Sequence, residues 1–200
     1  MIDNFAQIEE LLDFTSEDDY YFLEVIQRKK DFPFETALPS QWCIKTYAIT
    51  SKDMLEKVKH QVELLCDHYH ARAYINLNKK SKKKTTMILM KECLSMLENE
   101  SCNKLFSKLD SAAGQCTGDK KTRTFLLDID SKDEKILAWM KDTIKSLSGE
   151  VKAVIPTVNG YHVISTPFNV QEFNKHLGLN EETKSIVEIK HNCPTLLYFN

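Results

Sequence analysis

Two aspartates separated by one apolar residue carry the most chemistry in this chain. Phe125, Leu126 and Leu127 lead into Asp128, and Ile129 alone separates it from Asp130. Side chains in a strand alternate faces, so Asp128 and Asp130 point one way while Leu127 and Ile129 point into a core. Two carboxylates on one face repel unless a cation, lysines or hydrogen bonds offset them. Hard divalent cations with oxygen ligands do this well, which makes the pair a candidate Mg²⁺ or Mn²⁺ site. The competing reading is a strand exit whose acids are solvated or cap the next helix.

Two later residues bear on that choice. Asn159-Gly160 is a strong hairpin signal, and it delivers His162 at the start of a strand between Tyr161 and Val163. A histidine there suits a phosphate or a metal, or is simply satisfied by a neighbouring carboxylate. Glu188 lies between Val187 and Ile189, so it points away from that apolar pair. Asp128, Asp130, His162 and Glu188 are therefore expected on one face of one sheet.

A second cluster is basic. Lys79, Lys80, Lys82, Lys83 and Lys84 follow a strand on which Arg72, Tyr74, Asn76 and Asn78 alternate with Ala73, Ile75 and Leu77. The lysines read either as a solvated helix start or as one wall of a phosphate-binding cleft, with Arg72 as a phosphate contact and Tyr74 as a base-stacking surface. Cys66, His68 and His70, and likewise His191 and Cys193, read as polar packing at element ends rather than metal ligands, because His68 does not share the face of Cys66 and His70 and a fourth ligand is not evident. The sequence holds no G-x-S-x-G, P-loop or G-x-G-x-x-G.

The elements that must position these residues follow from periodicity. Residues 2–14 are expected as one helix with Ile2, Phe5, Ile8, Leu11 and Leu12 on a face. Strands are expected at 20–26 and 42–49, then a helix capped by Ser51, a strand at 71–78 and a helix reaching about Leu97. Residues 99–121 are polar, with Leu105, Phe106 and Leu109 suggesting a helical turn or two. The second half reads strand 123–129, helix 132–147, strands 151–155 and 161–165, helix 169–177 and strand 186–190, with a last short strand at 194–199. The expected class is α+β: an RRM- or ferredoxin-like βαββαβ unit over 122–200 and a smaller αβ lobe over 1–121, forming one compact two-lobed domain. In such a sheet the first and third strands are the central neighbours, which sets His162 beside the aspartates.

Bulk properties constrain the class without naming the chemistry. At 200 residues, 42% apolar and 28% charged, the chain is ordinary for a soluble globular protein. It has no apolar run long enough to span a bilayer, and its first residues lack the pattern of a secretory signal. Six cysteines without a C-x-x-C favour reduced thiols and a cytoplasmic setting. Net charge is −2, but 10 of the 29 acidic and only 3 of the 27 basic residues fall in 1–35. The remainder is mildly basic and permits polyanion binding.

The motif order resembles the archaeo-eukaryotic primase (primase-polymerase) superfamily. That family has an hhhDhD strand, a strand with a small residue, x and His, and a third strand with an acid after two hydrophobics. The chain offers Phe125 to Asp130, Gly160-Tyr161-His162 and Ile186-Val187-Glu188. Its third acid is Glu rather than the usual Asp, and the interval from Asp130 to His162 is short for the family. The resemblance implies a nucleotidyltransferase of bacterial or phage type that primes or extends a nucleic-acid strand from nucleoside triphosphates. It implies Asp128, Asp130 and Glu188 as catalytic ligands of Mg²⁺ or Mn²⁺, and His162 as a contact to the nucleotide phosphates, to which the basic cluster adds Arg72, Lys79 and Lys80. A helicase is the kind of protein partner it suggests. Two alternatives stay open: a non-catalytic nucleotide or nucleic-acid binding protein on the same fold, and another metal-dependent phosphoryl-transfer enzyme such as a nuclease.

Overall fold

The acidic strand alternates between two cores. Leu127 and Ile129 pack against helices, whereas Leu126 belongs to a different apolar cluster on the opposite face, the face that also carries Asp128. The computed structural model that shows this describes residues 1–32, 39–99, 108–116, 122–178 and 185–200.

Among the described residues the fold is α+β, with two antiparallel sheets and six α-helices. In chain order the elements are β1 (Ile2–Asp3), α1 (Phe5–Glu9), β2 (Asp19–Arg28), a 3₁₀ turn (Lys29–Asp31), β3 (Gln41–Ile49), α2 (Lys52–Tyr69), β4 (Arg72–Ser81) and α3 (Lys82–Glu98). They continue with α4 (Lys108–Gln115), β5 (Phe125–Ile129), α5 (Glu134–Ser146), β6 (Val151–Pro156), β7 (Tyr161–Ser165), α6 (Val170–Gly178), β8 (Val187–Lys190) and β9 (Pro194–Phe199). One sheet runs β1-β9-β4-β2-β3 and the other β6-β7-β5-β8.

Local signals explain most boundaries. The Ser51 hydroxyl accepts from the Met54 amide at the head of α2, and the helix ends where His70 takes a left-handed conformation with φ of 47°. Ser81 caps α3, Asp133 caps α5, and the Asn169 side chain accepts from the amides of Gln171 and Glu172 at the head of α6. The helical turn read at Leu105 and Phe106 lies outside the described residues.

The amino-terminal helix is shorter than its periodicity predicts. Ile2 and Asp3 are extended because they pair with Phe199 and Tyr198 of β9. Asn4 fixes the exit: its side-chain amide donates to the carbonyls of Pro156 and Leu196, one on each sheet. A helical phase across residues 2–14 would break these bonds, so α1 spans only five residues. Phe5, Ile8 and Leu12 still reach the core.

The second departure is β9. It follows β8 directly but leaves that sheet and inserts between β1 and β4. This exchange stitches the sheets together. Leu126, Ile155 and Ile164 from one sheet share a cluster with Leu23, Val25, Ile75 and Leu197 from the other. Each such fully buried aliphatic side chain contributes roughly 1.5–3 kcal/mol. Asn78 adds polar specificity, donating to the carbonyls of Thr124 and His191 and accepting from the Thr124 amide at 2.7 Å. No helix among the described residues is long and apolar enough to cross a membrane.

Candidate functional site

Where the two sheets part, they enclose a cavity of about 380 Å³, within the range of small-molecule sites. Asp128, Asp130, His162, Glu188 and Lys190 line one wall, from β5, β7, β8 and the residue after β5. Glu24, Arg28, Lys30, Arg72 and Tyr74 line the other. Leu126, Ile26 and Leu196 supply apolar lining.

The acidic wall is built by register. Asp128 lies directly opposite His162 on β7 and Glu188 on β8, so the three side chains form a row on one face. Asp130 is two residues further on and exposed. Their face turns toward the other sheet and lines the cavity. His162 is only 6% exposed, while Glu188 reaches solvent.

His162 is held from both sides. Its Nδ1 accepts a hydrogen bond from the Leu196 amide on β9 at 3.1 Å, and Nε2 lies 3.4 Å from Asp128 Oδ1. An amide donating to Nδ1 assigns the ring proton to Nε2, facing Asp128 and the cavity. The opposite sheet thus sets the tautomer of a histidine on this one.

Asp128 is half-buried, and burial alone raises a carboxyl pKa. The hydrogen bond from His162, together with the positive charges of Lys190 and Lys30, outweighs burial and holds the group below its usual 3.8. A carboxyl more acidic in the folded chain adds stability above pH 3.8 that fades as pH falls through the depressed native value. Asp128→Asn is therefore expected to destabilise the chain at neutral pH. Its difference from wild type should shrink as pH falls below 3.8, measured by urea unfolding at a series of acidic pH values. A difference that stays constant with pH would contradict this assignment.

The basic wall departs from the sequence expectation. Arg72 lines the cavity, but Asp31 grips it in a bidentate pair at 2.8 and 2.5 Å, and its guanidinium sits 4.6 Å from the Phe199 ring centre. It is committed to structure before any ligand arrives. Lys79 and Lys80, read as phosphate contacts, are not among the lining residues. From Tyr74 to Lys80 the strand advances about 20 Å, which carries the lysines past the cavity mouth. Lys79 instead bonds Asp19 at 2.9 Å and Thr15 at 2.8 Å, and buried Lys80 donates to the Cys116 carbonyl at 2.9 Å. Burial lowers the Lys80 ammonium from its ordinary value. The basic residues facing the acids are Arg28 and Lys30. Arg28 donates to the Tyr74 hydroxyl at 3.0 Å.

Sequence reading passed over Arg28, Lys30, Glu24 and Lys190 as site residues. A signal existed for some of them. Glu24, Ile26 and Arg28 alternate on β2, and Lys190 follows Glu188 by the two residues that return a strand to the same face. The other histidine and cysteine clusters stay apart from the cavity. Cys66 is buried, with its thiol pushed up to about 12, and Cys193 is pushed up to about 11. His70 lies between Phe32 and Phe199, and His191 packs on Phe125.

The donor set of Asp128, Asp130 and Glu188 is all oxygen, which suits Mg²⁺ or Mn²⁺. Among the described residues, no three acidic, histidine or cysteine side chains are grouped closely enough to enclose an ion. With acids on one wall and Arg28 and Lys30 on the other, the cavity suits an anionic ligand carrying a cation. Compared with known proteins, the chain matches no family model, no curated protein and no solved structure.

Proposed function

We propose that the cavity binds a nucleoside triphosphate with Mg²⁺ or Mn²⁺, and that the chain is a primase-polymerase-like nucleotidyltransferase. The observation that carries the reading is the gathering of Asp128, Asp130, His162 and Glu188 on one cavity wall opposite Arg28 and Lys30. Further support comes from the strand order β8-β5-β7-β6, the order of a split βαββαβ unit, with α5 and α6 as its two helices. Asp128 and Asp130, with Glu188 beside them, are the residues for the metal. A bound divalent cation supplies charge stabilisation at the phosphoryl oxygens. The chain's own groups do the rest. The Arg28 and Lys30 charges hold the phosphates, His162 orients Asp128 through its Nε2 proton, and Leu126 and Leu196 add apolar lining.

A second reading keeps the ligand and drops turnover: a nucleotide or nucleic-acid binding protein. The observation favouring it is that Asp128 is already paired with His162, and Glu188 with Lys190. Template-dependent incorporation of labelled nucleotide with Mn²⁺ separates the two. Wild type is expected to extend a primed or unprimed template, and Asp128→Ala/Asp130→Ala to lose at least a hundredfold of that rate, on the scale of a removed charge-stabilising group. Equal rates in the two proteins would refute catalysis at this site. Ligand binding without incorporation by wild type would favour the second reading.

A further inference from the structure

Lys190 stands where two acids need a cation. Asp128 and Glu188 face each other directly across β5 and β8, a position at which like charges repel. The Lys190 ammonium pairs with the Glu188 carboxylate, and its charge also reaches Asp128. It lines the same cavity as both acids.

We propose that Lys190 is a displaceable internal counter-ion, which yields Glu188 to an incoming divalent cation and then turns to the phosphates of the anionic ligand. This rests on the metal and nucleotide reading of the cavity.

Three features make the exchange physically reasonable. Among the described residues β8 is an edge strand paired only with β5, and the Lys190 side chain is 35% exposed, so the ammonium can move without opening the core. Lysine carries a point charge on a flexible four-carbon stem, so it changes partner without the planar geometry an arginine would require. Arg72, by contrast, is held rigidly on Asp31 and has no such freedom. A metal arriving alone must compete with a tethered cation for Glu188. A metal arriving with a triphosphate offers the displaced ammonium a new anion within the cavity. The two ligands should therefore bind with positive coupling, each raising the affinity for the other.

The test is calorimetric titration of the full chain with Mn²⁺ alone, and with inorganic triphosphate at saturating Mn²⁺. Lys190→Met is expected to bind Mn²⁺ alone about two- to fivefold more tightly, the scale of a partly exposed ion pair. It should bind triphosphate about tenfold more weakly, the scale of a lost charged hydrogen bond. Lys190→Arg should restore much of the triphosphate affinity. A merely structural role would weaken both ligands together. Lys190→Gln serves as a second neutral variant, with thermal unfolding to check that each variant is folded. Equal or weaker Mn²⁺ binding in both neutral variants overturns the role of Lys190 while leaving the site intact. Absence of any Mn²⁺ binding by wild type overturns the metal reading, and this role with it.

Discussion

Asp31→Ala is expected to lower the unfolding free energy by about 3–5 kcal/mol, because it strands a buried guanidinium. Asp31 accepts two hydrogen bonds from Arg72, and both side chains are 9% exposed. Neither partner can recover water when the other is removed. The remaining contacts of Arg72, with the Phe199 ring and with Tyr74, offset only part of that loss. Asp31→Asn keeps one acceptor and should cost less than alanine. Replacing both partners, as in Asp31→Leu/Arg72→Met, should be much milder than Asp31→Ala, since removing both charges also removes their desolvation penalty. Urea unfolding of the three variants measures this directly. A loss under about 1 kcal/mol for Asp31→Ala would mean that the pair behaves as a surface ion pair. The pair also bears on the site, because Arg72 lines the cavity and loses its fixed position with Asp31.

Gly160→Ala is expected to damage fold and site together. A Cβ at Gly160 would stand 1.9 Å from the Ile129 carbonyl oxygen and 2.6 Å from the Ser131 amide nitrogen, both backbone atoms that cannot swing aside. The turn must then back away from the strand end that bears Asp128 and Asp130. Overpacking of this kind costs about 1–3 kcal/mol and sometimes more. The turn also leads into His162, which pairs with Asp128. Under the proposed nucleotidyltransferase activity, a displacement near 1 Å there should cut nucleotide incorporation on the order of a hundredfold. Gly114→Ala is the control, because nothing lies within 4 Å of its added Cβ and it sits in α4. That change should be neutral or gain up to about 1 kcal/mol. Thermal unfolding and the incorporation assay read both variants, and a Gly160→Ala chain matching wild type in each would remove the close approach as a constraint.

Gly160 also shows how a correct reading can have a different cause. The Asn159-Gly160 pair does mark the hairpin that delivers His162. No glycine among the described residues has a positive φ, so this one is not required for a left-handed turn. Thr157 and Gly160 close a four-residue loop through their own hydrogen bonds, and the missing side chain leaves room for the backbone of β5. Turn chemistry is local and legible, but the neighbour that forbids a Cβ lies thirty residues away in the chain.

The same division runs through the molecule. Strand alternation over Phe125–Ile129 and Val187–Lys190 put Asp128 opposite Leu127 and Ile129, and Glu188 opposite Val187 and Ile189, because period-2 geometry within a strand needs no knowledge of partners; the register that sets Asp128 beside His162 and Glu188 belongs to the sheet. The helix cap at Ser51 was legible because capping is likewise local. The amino-terminal helix was misjudged in length because pairing of Ile2 and Asp3 with β9 is non-local. Of the basic residues read as phosphate contacts, Arg72 does line the cavity, whereas Lys79 and Lys80, to which composition drew attention, do not, and Arg28 and Lys30 take their place. Only the packing of one sheet on the other decides which stretch of β4 faces the acids and which has run past them. The Asp128 and Asp130 pair was written in the sequence. Its surroundings were decided by tertiary structure: the Leu196 amide that orients His162, the Lys190 charge beside Glu188, and the cationic wall opposite.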